Sequence, residues 1–131
     1  MQWTEAYATG VPHLDVQHRL LFQMTSDFLL ALDEGRGEGV YGSFLESLDL
    51  YAKMHFSTEE ECMLRFHCPA ARGNAAAHQH FLGIIEELRR HFAERGYRRE
   101  DAQDAVALLE EWLVRNIGGI DTQLRPLAES A

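Results

Sequence analysis

The chain has 131 residues, 46% apolar and 25% charged, with a formal net charge of -9. That length suits one domain, residues 1–131, whose core needs neither disulfides nor a structural metal to be stable. The composition excludes a wholly disordered chain, the acidic balance excludes a general nucleic-acid binder, and no apolar run approaches the roughly 18 residues of a membrane span.

The opening "MQWTEAY" lacks the charged and then apolar run of a secretory signal, which predicts a cytoplasmic protein. The first dozen residues, with Trp3, Tyr7 and "TGVP", predict an arm that packs aromatics over one end of the fold. In "DVQHRLLFQMTSDFLLALDE" the residues His18, Leu21, Phe22, Thr25, Phe28, Leu29 and Leu32 recur at the three-and-four spacing of one helix face. The "GRGEG" that follows is expected to be a flexible loop. A second stripe runs from Tyr41 through Leu48, His55, Glu59, Cys62 and Met63 to Phe66, a helix of about 25 residues that stops before Pro69.

The third stripe reads Asn74, Ala77, His78, Phe81, Ile84, Ile85, Leu88 and Phe92, and closes near Gly96, a residue suited to a left-handed cap. The fourth reads Ala102, Ala105, Val106, Leu109, Trp112, Leu113, Asn116 and Ile117 before Gly118, Gly119, Ile120 and Asp121. Nothing alternates as a strand would. The expected fold is therefore all-α, an antiparallel up-down four-helix bundle with an N-terminal arm. Arg89 to His91 and Arg95 to Arg99 read as solvated surface. Cys62 and Cys68, six apart, miss zinc-finger spacing and read as reduced thiols, one in the core and one at a turn.

Each predicted helix carries costly polar groups on its apolar face: His18 on the first, His55 and Glu59 on the second, Asn74 and His78 on the third, Asn116 with Asp121 on the fourth. Buried polar groups must be paired, and buried carboxylates need a cation or a donor. A metal would satisfy all of them together. Glu59 lies one turn beyond His55, so both can reach one point in the bundle centre, and an imidazole and carboxylate set suits iron, manganese or zinc.

These residues resemble the bacterial hemerythrin pattern over almost the whole chain. "TGVPHLDVQH" is similar to the family's lead-in to its first ligand, "HFSTEE" to its His-x-x-x-Glu, "AAAHQHFL" to the end of its His-x-x-x-His-x-x-Phe, and "WLVRNIGGID" to its Trp-Leu-x-x-His-Ile-x-x-x-Asp. The resemblance implies a four-helix bundle that binds oxygen reversibly at two non-haem irons. It implies that His18 and His55 hold the iron with the open position, that Glu59 and Asp121 bridge both irons, and that His78 holds the other. In the family that second iron takes three histidines, and its two remaining positions fall here on Asn74 and Asn116.

No other histidine is expected to replace them. His80 points about 200° away from His78, His67 lies roughly 18 Å along its helix from His55, His91 is similarly remote, and His13 precedes the first helix. An Asn offers a neutral amide oxygen, a poorer donor to iron than imidazole, while leaving the formal charge unchanged.

The expected function is binding of O2 or a small anion, for storage, transport or sensing, at a di-iron centre altered by Asn74 and Asn116. The alternatives are a single metal or another divalent metal in a storage, redox or peroxide-reactive role, or a metal-free interaction domain. The protein is expected to be a binder and not an enzyme, with an oxidase or peroxide-reactive side activity left open. Hydrolysis has no support, because no activated Ser or Cys stands out and Glu60 and Glu61 are expected to point off the ligand face.

Overall fold

The computed structural model describes residues 2–130. Its long helices are α1 (Pro12–Asp33), α2 (Gly37–Arg65), α3 (Ala71–Arg95) and α4 (Arg99–Gly119), followed by a short α5 (Arg125–Ser130). Two 3-10 turns, Glu5–Tyr7 and Asp121–Leu124, flank them, and no strand occurs among the described residues. Helix α1 runs down the bundle between α2 and α4, and α3 closes the square on the opposite side.

Helix α1 starts earlier than the periodicity predicts. Pro12 takes its first position, where the missing N–H costs nothing and φ is already helical. The amide and hydroxyl of Thr9 both donate to Asp15 Oδ1 at 2.8 Å, fastening the incoming chain to the first turn. His13 thus lies inside the helix, on its exposed side, and not ahead of it.

The "GRGEG" segment is also more ordered than expected. Only Glu34 to Arg36 connect α1 to α2, because α2 begins at Gly37 and runs for 29 residues. A Cβ at Gly37 would lie 2.5 Å from Tyr97 Oη and 2.6 Å from Leu32 Cδ2, so the glycine permits close approach and does not supply slack. Gly96 ends α3 with φ 73 and ψ -170. The φ is positive as expected, but this ψ belongs to the extended mirror region and not to a left-handed helical cap.

The core falls into two apolar clusters. The larger one ends in an aromatic plug, where Phe28 stacks on Phe44 with centroids 4.4 Å apart and Tyr41 meets Phe92 and Tyr97 edge-on. The smaller one, at the other end, gathers Val11, Leu14, Cys62, Met63, Cys68 and Leu124. Cys68 is folded back by the turn after α2, where His67 adopts φ 53 and the Cys68 amide donates to the Met63 carbonyl at 2.9 Å. Each fully buried Leu or Phe contributes about 1.5–3 kcal/mol. Between the two clusters lies the polar layer.

The N-terminal arm packs on the flank between α1 and α4, not over an end of the bundle. Tyr7 rests on Phe22 with centroids 5.2 Å apart, and its ring fits because Gly118 has no side chain: a Cβ there would stand 3.2 Å from Tyr7 Cε1. The Arg19 guanidinium lies 4.2 Å over the Trp3 ring, and Arg125 Nε donates to the Ala8 carbonyl at 2.8 Å. No helix of the described residues is long and apolar enough to cross a membrane.

Candidate metal centre

The polar layer forms where the start of α1, the end of α2, the start of α3 and the end of α4 meet. There His18, His55, Glu59, Asn74, His78, Asn116 and Asp121 converge, none more than 3% exposed. All seven residues singled out from the sequence are thus brought together, with one change of address. Asp121 sits on the 3-10 turn after α4, because the chain leaves the helix at Ile120 and carries the carboxylate back across the bundle end.

Glu59 is at the middle of this layer. Its Oε2 lies 2.7 Å from His18 Nε2 and 3.3 Å from His55 Nε2, while its Oε1 lies 3.0 Å from His78 Nε2 and accepts from Asn74 Nδ2 at 2.7 Å. Asp121 divides in the same way, with Oδ2 3.2 Å from His18 Nε2 and Oδ1 3.5 Å from Asn116 Nδ2. The Asn116 amide also donates to Asn74 Oδ1 at 3.3 Å. The layer therefore has two halves that share two carboxylates: imidazoles on one side, amides and one imidazole on the other.

Behind the imidazoles stand partners that sequence spacing missed. The His55 Nδ1–H donates to Gln17 Oε1 at 2.6 Å, and the His78 Nδ1–H donates to Glu60 Oε2 at 2.9 Å. Such outer bonds fix which nitrogen points inward. Glu60 thus stands off the ligand face, as expected, yet still reaches the outer nitrogen of His78. One residue along a helix turns by about 100°, which carries Glu60 from the face of Glu59 to the seam with α3, and Gln17 from the face of His18 to the seam with α2. Nδ1 of His18 has no such partner among the described residues. Phe56 stacks on the His78 ring with centroids 3.8 Å apart, and Trp112 closes over both. A bulky apolar residue beside the His-x-x-x-Glu pair was the available signal for that wall.

The charges of the layer are strongly coupled. Burial pulls the His18 imidazole down, but bonds to Asp121 and Glu59 outweigh it and raise its pKa to about 9. Burial lowers His55. For His78 the burial penalty is overcome by Glu59 and Glu60, and its pKa rises. Burial opposes ionisation of Glu59, yet hydrogen bonds from His18, His55 and His78 hold its carboxyl well below the usual range. Asp121 is pushed up to about 7 by burial and by the neighbouring Glu59 charge. The layer thus takes positive charge readily beside Glu59.

These residues fit a divalent cation on one side. His18, His55, Glu59 and Asp121 each present one ligand atom, all within 4.8 Å of one another. Among the described residues no lysine or arginine pairs with either carboxylate, so imidazolium or a metal must supply their countercharge. Mixed nitrogen and oxygen donors suit iron, manganese or zinc. No other histidine supplements the set: His13, His67 and His80 are exposed, and His91 lies toward the far end of α3, 3.7 Å from Glu87.

Comparison with known proteins gives the same arrangement a family. The sequence profile of the hemerythrin HHE cation binding domain matches residues 9–128. A bacteriohemerythrin of Methylococcus capsulatus is 28% identical over 127 residues, 96% of this chain and 95% of that protein. One from Stenotrophomonas maltophilia is 28% identical over 120 residues, 91% of this chain and 75% of that protein. A crystal structure of wild-type hemerythrin superposes with a TM-score of 0.85 at 27% identity, covering 98% of this chain and 97% of the other. With a profile match over most of its length, an all-α four-helix bundle and a His and carboxylate layer at its core, the chain belongs to the hemerythrin HHE cation-binding family.

Proposed function

We propose that this protein binds iron through His18, His55, Glu59 and Asp121 and uses it to take up O2 or a small anion, in storage, transport or sensing. The convergence of those four buried side chains within 4.8 Å is the observation that carries the reading. The bacteriohemerythrin relatives and the hemerythrin fold support iron over other divalent metals. Iron there supplies the coordination at which a small ligand binds.

The chain's own residues do the rest. Nε2 of His18 and His55 faces the centre, and Gln17, accepting from the His55 Nδ1–H, holds that ring with Nε2 toward Glu59. His18, with a pKa of about 9 in the metal-free layer, gives up its proton when it becomes a ligand, so loading releases acid near neutral pH. The apolar clusters on both sides keep bulk water from the layer.

The test is to load metal-free protein with ferrous iron without air and then admit oxygen. Iron should be retained, a visible band should appear with O2 and fade on reduction, and saturation at 100 times the dissociation constant should stabilise the fold by about 2.7 kcal/mol. Iron-loaded protein that stays colourless in air would remove the O2 role. Protein that keeps no iron would remove the metal role altogether.

A further inference from the structure

Resting on the iron reading above, we infer that the centre holds a single metal ion, and that the hydrogen-bonded amides of Asn74 and Asn116 stand where a second ion would sit. The case starts from the carboxylate oxygens. A second ion would need Glu59 Oε1 and Asp121 Oδ1, and both already face N–H donors: Asn74 Nδ2 at 2.7 Å and Asn116 Nδ2 at 3.5 Å.

The amides are also held in that sense. Asn74 Oδ1, the one atom of that side chain able to ligate a cation, accepts from Asn116 Nδ2 at 3.3 Å, and Asn74 Nδ2 has a further contact with Met63 Sδ at 3.3 Å. Turning the Asn74 amide over would set its oxygen against Glu59 Oε1 at hydrogen-bond distance, two acceptors facing each other in a buried site. It would also break the bond from Asn116. Recruiting a second ion therefore means rotating both amides together, for ligands weaker than the imidazoles on the other side.

Nitrogen count points the same way. Of the three buried imidazoles, His18 and His55 serve one half and only His78 faces the other.

Ferrous iron titrated into metal-free protein without air, with the excess removed by gel filtration, should leave one equivalent per chain. After oxidation to the ferric state, the single ion should give a strong paramagnetic resonance signal, whereas two carboxylate-bridged ferric ions would couple and cancel it. The double substitution Asn74→His with Asn116→His should raise the count to two and quench the signal. Two equivalents and a silent spectrum in the unmodified protein would overturn the inference while leaving the iron reading intact. Zero equivalents would sink both. A folded double variant that still keeps one would show that the amides are not what excludes the second ion.

Discussion

At the scale of single residues, the two histidines with outer partners separate the halves of the centre. Gln17 buttresses His55, on the side where the metal is proposed, and Glu60 buttresses His78, on the amide side. Removing the outer partner of a ligating histidine typically lowers metal affinity by about 10–100-fold. Gln17→Ala should therefore weaken iron or cobalt binding by roughly that factor in a calorimetric titration, while Glu60→Gln should change it by less than about threefold. Equal losses from the two substitutions would mean that His78 also holds metal. Neither buttress stands on the periodic stripe that exposes the ligands in the sequence. Each sits one position off it, and which neighbouring helix fills that seam is set by the packing.

At the scale of elements, the stripes were legible because every long helix buries one face, and three-and-four spacing follows from that alone. The ends were less legible, since a terminus depends on what the chain meets there. Gly37 shows this: a glycine-rich stretch read as loop becomes the first turn of α2, where Leu32 and Tyr97 leave no room for a side chain. Gly96 shows the converse, a correctly located stop with an unexpected backbone. Its φ of 73 with ψ -170 is a conformation open essentially to glycine, and nothing lies within 4 Å of where a Cβ would be. Gly96→Ala should thus cost about 1–3 kcal/mol through the backbone alone, read as a lower urea midpoint at unchanged slope. An unchanged midpoint would show that the turn after α3 relaxes freely.

At the scale of the whole molecule, the bundle is stabilised at the end remote from the metal by the aromatic plug around Tyr41. Burial is the main reason that the Tyr41 hydroxyl is pushed up from 10.0 to about 12, with Asp101 and Tyr97 adding to it. In the unfolded chain this phenol loses its proton through pH 10, whereas the folded protein keeps it to about 12. The folded state then binds more protons than the unfolded one in that window, so its stability is complete below pH 10 and declines between 10 and 12. Tyr41→Phe should flatten that alkaline decline in a series of denaturant melts. A decline as steep in the variant would assign it to other groups.

The sequence by itself determined the four long helices, the faces that turn inward and the seven polar residues of the central layer, because periodicity and the cost of burying polar groups are local properties of the chain. It also determined that Asn74 and Asn116 share one side of the centre, through their match to the family spacing. Only the tertiary structure decided how those side chains are paired. It divided Glu59 and Asp121 between two halves, turned the amide nitrogens toward the carboxylates, and brought Gln17 and Glu60 in behind the histidines. Those outcomes rest on contacts between α1 and α2, α2 and α3, and α3 and α4. The direction of an amide in a buried network is set by its neighbours across such contacts, and no spacing along a single helix encodes it.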